Sequence, residues 1–160
     1  MRESIKMKTK DYAFKYRVAA IIIKNNKILV DKTEDSPNYY LPGGYVELGE
    51  TAFNALIREL KEELLVDFTK GKYFGVLENF FNHNRRGFTH EISIYYLMDV
   101  PDSLNDSDFS LTENDKGFIV KHDFKWISLD EFDKYDFRPV IIKDYIKNKK
   151  EFNHLVLDTR

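Results

Sequence analysis

Glu59, Glu62 and Glu63 fall at i, i+3 and i+4, a spacing that on a helix puts three carboxylates on one face. Like charges so placed repel, and the cluster lowers stability unless a cation sits among them. Upstream lie the glycine pair Gly43-Gly44 and two further acids, Glu47 and Glu50. Carboxylates beside a glycine-rich turn suit magnesium or manganese, hard ions that take oxygen ligands and share them with substrate phosphates. The sequence shows no histidine or cysteine cluster that would select a softer metal. Glycines without side chains let backbone amides or carbonyls come close to the ion or to a phosphate. An ion held there neutralises phosphate oxygens and makes water more acidic, which is the chemistry of phosphoanhydride hydrolysis.

A helix over Thr51 to about Leu65 must carry these groups. At about 100° per residue, Phe53, Leu56, Ile57, Leu60 and Leu64 form an apolar stripe. The three glutamates lie beside it with the small residues Ala52 and Ala55, while Asn54 and Lys61 point to solvent. Arg58 is placed to pair with Glu62 and to reach back toward Glu50.

The rest of the chain reads mainly as strands. Tyr16 to Ile23 is a nearly continuous apolar run suited to burial on both faces, and Lys24-Asn25-Asn26-Lys27 is a hairpin turn leading to Ile28 to Lys32. Thr33 to Asn38 is a polar loop, and Tyr39 to Pro42 a short extended piece. Lys72 to Phe81 and Thr89 to Val100 alternate as strands around a turn at Asn82 to Gly87. Pro101 to Gly117 is polar and acidic and is expected to be a mobile surface loop; Phe124 to Ile127 is a final strand. Ser128 with Glu131 forms a capping-box pattern, and Pro139 opens a last helix to about Lys150.

At 160 residues the chain suits one domain, with a core over about 12–150. A formal net charge of -2 gives no pull toward nucleic acid or membranes, so a polyanionic substrate needs local positive charge or metal. Cysteine is absent, which excludes disulfides, thiolate zinc sites and a cysteine nucleophile and fits a cytoplasmic location. The basic start has no apolar segment behind it, and the longest apolar run, Val18 to Ile23, is far too short to span a bilayer.

The order Gly44, five residues, Glu50, seven residues, Arg58-Glu59-Leu60, one residue, Glu62-Glu63 resembles the box of the Nudix hydrolases, which spans twenty-three positions and ends here at Val66. Leu65 stands where the family has a glycine that ends the helix in a left-handed conformation, at a cost of about 1 kcal/mol for a leucine. Trp126 to Glu131 also resembles the family's late strand-to-helix junction, and Glu78 to Phe81 and His90 to Ile92 resemble segments of its small bacterial members.

The resemblance implies an α/β (α+β) fold, a mixed β-sheet sandwiched between helices, and cleavage by water of a nucleoside diphosphate linked to another group. By motif position, Glu59, Glu62 and Glu63 would hold Mg2+ or Mn2+, with the Gly43 carbonyl joining and Glu91 as an added candidate. Glu50 and Arg58 would brace the box, and Glu62 or Glu63 would orient or deprotonate the attacking water. Around residues 80–84 the chain has neither the proline of ADP-ribose-directed members nor the tyrosine of dinucleoside-polyphosphate members, which favours a (deoxy)nucleoside triphosphate.

Arg17, Phe80, Arg85 and Arg86 are candidates for phosphate clamping and base stacking. Glu113 either folds over the site or is a solvated loop charge, His90 reads as a packing histidine, and Tyr39 and Tyr40 are pocket walls or core. The expected partner is a small-molecule nucleotide, with a homodimer left open. Alternatives are a nucleotide-sugar or dinucleoside-polyphosphate hydrolase, or a non-catalytic nucleotide-sensing module of the same fold.

Overall fold

A computed structural model of the chain describes residues 3–83, 87–115 and 117–160. Among these residues, nine strands form one mixed sheet: β1 (Lys6–Lys8), β2 (Tyr12–Lys24), β3 (Lys27–Thr33), β4 (Gly43–Tyr45), β5 (Gly71–His83), β6 (Gly87–Met98), β7 (Phe109–Asp115), β8 (Phe118–Ser128) and β9 (His154–Asp158). The main path runs β7-β8-β3-β2-β6-β5-β9, with β1 and β4 paired to β2. The pairs β2–β6 and β5–β9 are parallel and the remaining pairs antiparallel.

The continuous apolar run in β2 follows from burial on both faces. Val18, Ala20 and Ile22 pack with helix α1 (Ala52–Leu64) through Leu56, Leu60 and Leu64. Ile21 faces the other layer, where Phe132, Phe137 and the short helix α2 (Lys143–Lys147) close a second core. The turn into β3 has both Asn25 and Asn26 at positive φ, as a two-residue hairpin with matching twist requires.

Helix α1 begins just after Thr51, whose side chain caps it by accepting a hydrogen bond from the Asn54 N–H at 3.2 Å. It ends at Leu65, whose φ of 57° is left-handed and whose N–H donates to the Lys61 carbonyl. The chain thus keeps the backbone of a glycine stop with a leucine in it. Because Leu65 is exposed, little packing offsets that strain. Leu65→Gly is therefore expected to raise the melting temperature by roughly 2 °C, the loss of strain exceeding the added freedom of the unfolded glycine. A thermal melt showing no rise or a fall would mean that the leucine side chain contributes more than the strain costs.

Three expectations need correction. The acidic stretch before Gly117 is not all loop: Phe109–Asp115 is a strand paired to β8, and β8 itself starts at Phe118 rather than Phe124. The acids obscured a two-residue alternation in which Phe109 and Leu111 pack on the α1 core, and Trp126 fastens the preceding segment by donating to Asp108 and to the Asn105 carbonyl. Second, Ser128 caps the next segment as expected, accepting from the Asp130 N–H, but that segment is a 3-10 turn (Leu129–Lys134) and Glu131 pairs with Lys134. Third, the last helix is short, a 3-10 turn (Val140–Ile142) running into α2, and ordered structure continues past the expected core into β9. No helix among the described residues is long and apolar enough to cross a membrane.

Candidate active site

The glycine pair and α1 meet through β4. Pairing of Gly43 and Gly44 with Ala19 and Val18 lays the loop against β2, and a β-carbon on Gly44 would collide with the Glu59 carboxylate. The stricter requirement is at Gly43, where a β-carbon would meet the backbone of Val18 and Ala19, whereas at Gly44 only the Glu59 carboxylate would have to shift. The Gly43 N–H donates to Glu63 Oε2 at 3.0 Å, which fixes the innermost carboxylate against the loop.

The three glutamates are not equivalent. Glu63 is buried, Glu59 half-buried and Glu62 exposed. Arg58 lies among the outer acids. Its Nη2 donates to Glu50 Oε1 (2.7 Å) and to the Tyr45 carbonyl (3.0 Å), and its Nη1 to Glu59 Oε1 (2.7 Å) and Glu62 Oε2 (3.4 Å). Nε completes a two-point grip on Glu50 at 3.3 Å, and Glu47 sits 3.9 Å away. Part of the positive charge that the glutamate cluster demands is thus supplied internally.

It is not enough to return the acids to ordinary behaviour. Burial, then Asp31 and Glu59, push the Glu63 carboxyl well above the usual range against the pull of His122 and the Gly43 N–H. Burial also raises Glu59, helped by Glu62 and Glu113 and opposed by Arg58. For Glu62 burial is again the largest cause, with Glu113 and Glu47 adding to it. A set of oxygen donors held together yet averse to carrying its own charge fits a divalent cation.

Sequence reasoning passed over Asp31 and His122. Asp31 on β3 and His122 on β8 face the α1 layer, and His122 Nδ1 lies 2.7 Å from Asp31 Oδ2. Glu113, on β7, lies 3.3 Å from His122 Nε2, so it belongs to this cluster and is not a solvated loop charge. The available signal was register: His122 alternates with Phe124 and Trp126, and Asp31 with Leu29, three core residues. Burial opposes a charge on His122, but the bonds to Asp31 and Glu113 outweigh it and push the imidazole up to about 10.

With a folded value above the unfolded one near 6.5, His122 contributes stability that is full below about pH 6.5 and is lost as pH rises toward 10. In chelator, the melting temperature should therefore fall more steeply over that range for the native chain than for His122→Gln. Parallel curves would show that the imidazole does not carry this charge.

The other candidates divide by sheet face. Arg17 packs its guanidinium over the Tyr45 ring at 5.5 Å, and its Nε is buried with no hydrogen-bond partner among the described residues. Burial works against its charge, but Glu91, Tyr45 and Glu63 outweigh it and leave the pKa raised. Glu91 accepts from Ser93 Oγ at 3.1 Å and lies 3.7 Å from Lys15 Nζ, so cations of its own sheet hold it.

Phe80 does not join this group. Register pairs Phe80 with His90 and His90 with Phe14, whereas Arg17 pairs with Ser93, so Phe80 and Arg17 project from opposite faces. Phe80 instead stacks on His90 at 4.3 Å, which makes His90 the packing histidine expected. Phe81 is the aromatic on the Arg17 face, 5.8 Å from Lys15 Nζ. Arg85 and Arg86 lie outside the described residues. Tyr39 packs edge-on to Tyr135 and lines an open concavity of about 400 Å³ with Lys32, Phe109, Asp123 and Lys125; no box glutamate lines it. Tyr40 is exposed.

Comparison with known proteins agrees with this architecture. The chain is 40% identical over 87 residues to an ADP-ribose pyrophosphatase of Methanocaldococcus jannaschii, a match that covers 52% of this chain and 49% of that protein. It therefore spans about half the length of that curated relative. Its fold is similar to that of a MutT protein from Methanosarcina mazei (TM-score 0.59, 20% identity, 88% of this chain and 94% of that one). A mutator MutT protein from Bacillus halodurans is likewise similar (TM-score 0.64, 13% identity, 88% and 85% covered). The model of the NUDIX domain family matches residues 14–146, and the chain belongs to that family.

Proposed function

We propose that this chain is a pyrophosphohydrolase that cleaves the phosphoanhydride of a nucleoside diphosphate linked to another group. The observation that carries the reading is the convergence of the box. Arg58 ties Glu50, Glu59 and Glu62 into one bonded group, while Glu63 is buried against the glycine turn. In this reading Glu59, Glu62, Glu63 and the Gly43 carbonyl hold Mg2+ or Mn2+, which when bound screens the phosphate oxygens and acidifies water. The remaining work falls to the chain itself. Arg58 holds Glu59 and Glu50 in place, and the Gly43 N–H orients Glu63. Glu62 or Glu63 orients or deprotonates the attacking water. Arg17, a half-buried cation whose Nε has no partner among the described residues, contacts a substrate phosphate.

The substrate proposed is a (deoxy)nucleoside triphosphate, standard or oxidised, released as monophosphate and pyrophosphate. ADP-ribose is the second reading, favoured by the partial similarity to the archaeal ADP-ribose pyrophosphatase. A small-molecule partner and a cytoplasmic setting belong to the same proposal. The test is a panel of nucleoside triphosphates, nucleotide sugars, ADP-ribose and dinucleoside polyphosphates with magnesium or manganese, phosphate being read with and without added inorganic pyrophosphatase. Pyrophosphate from triphosphates supports the first substrate, and turnover of ADP-ribose alone supports the second. Nucleotide binding with no turnover anywhere would leave a sensing module, and turnover undiminished by Glu62→Gln would remove the assigned site.

A further inference from the structure

Arg58 serves the outer acids, and a second, inner group of acids lies beyond its reach. Asp31 from β3, Glu63 from α1 and His122 from β8 are all buried, and each offers a ligand atom such that the three lie within 4.8 Å of one another. They come from three elements, so the sheet register and the packing of α1 assemble the group. Asp31 is 8% exposed, and its Oδ1 is buried without a hydrogen-bond partner. Buried carboxylate oxygens are normally satisfied, and an orphan among donors points to a missing ligand.

To act as a ligand His122 would give up a proton to solvent as the cation enters, exchanging its Nδ1 contact with Asp31 for the ion. One ring nitrogen, Nδ1, turns into the group beside Asp31, and the other, Nε2, lies 3.3 Å from Glu113. A carboxylate behind the second nitrogen fixes ring orientation and tautomer in many metal sites. The charges agree as well, since Asp31, Glu63 and Glu113 surround a single imidazole.

We propose that Asp31, Glu63 and His122 form a second cation site, selective for a divalent transition ion such as manganese or zinc over magnesium. Magnesium sheds its water reluctantly and takes oxygen ligands, whereas a mixed oxygen and imidazole set suits the transition ions. Glu113 is the positioning residue behind His122. The site shares Glu63 with the proposed hydrolytic centre but does not depend on Glu59 or Glu62.

The experiment is a Mn2+ titration of the full chain in pulsed EPR, where an imidazole ligand gives nitrogen modulation. The native chain is expected to show that modulation. His122→Gln should lose it, and Asp31→Asn should bind the inner ion at least about tenfold more weakly. The double variant Glu59→Gln, Glu62→Gln should keep the modulation while losing hydrolysis, which separates this site from the proposed activity. Absence of nitrogen modulation in the native chain at saturating Mn2+ overturns the proposal even if a variant fails to fold. So does modulation that survives His122→Gln, because another of the four histidines would then be the ligand.

Discussion

Arg58→Ala is expected to lower the unfolding free energy by about 3 kcal/mol, because it strips the guanidinium from a carboxylate with almost no access to water. The Glu50 side chain is 4% exposed and held at two points, by Nη2 and Nε, with the Glu47 N–H as a further donor to Oε1. Removing Arg58 takes away the cation that faces this buried charge at two points. It also brings back the repulsion among Glu47, Glu50, Glu59 and Glu62 that the guanidinium screens. Arg58→Lys should recover only part of the loss, since an ammonium cannot make the planar two-point contact. For a chain of this length the alanine variant should melt roughly 10 °C lower. A loss under about 1 kcal/mol in urea denaturation, the range of an exposed ion pair, would show that Arg58 does not brace the loop.

Glu59→Gln should have the opposite profile, with hydrolysis reduced by about 100-fold or more and little change in stability. Glutamine keeps the shape, and its amide oxygen can still accept from Arg58 Nη1. What it removes is a negative oxygen that burial, Glu62 and Glu113 make costly to keep charged. A carboxylate retained at that cost is understandable where a cation uses it. The metal-free variant should therefore melt close to the native chain, and the native chain should gain more stability than the variant when Mg2+ is added. Equal stabilisation of both would argue that Glu59 is not a ligand.

The features legible in the sequence were those encoded locally. The apolar stripe of α1 is read from neighbours a few residues away, and the structure buries Leu56, Leu60 and Leu64 as expected. The Asn25-Asn26 turn is local for the same reason, whereas the residue types alone left open how the helix ends at Leu65, which the structure answers with a left-handed stop. What was missed depends on pairing between distant segments. Asp31, Glu113 and His122 meet because β3, β8 and β7 are in register, and no local period encodes that. The acids of β7 hid its alternation of Phe109 and Leu111. Phe80 and Phe81 are neighbours in sequence, but register puts them on opposite faces of the sheet, and only Phe81 shares the face of Arg17.

The sequence argument for a purely oxygen-lined site also changes. It rested on Glu59, Glu62 and Glu63, which the structure divides into an outer pair bonded to Arg58 and an inner member beside Asp31 and His122. In the proposed reading the outer pair and the glycine turn serve the hydrolysis, and the inner group would give the centre a nitrogen donor that the box alone lacks.

The most direct test of the central claim is phosphorus NMR of the purified chain with Mg2+ and each of two substrates, a nucleoside triphosphate and ADP-ribose, run beside Glu59→Gln. The account predicts that anhydride resonances of at least one substrate disappear with the native chain and persist with the variant. Anhydride signals that decay equally in both, or in neither, would contradict it.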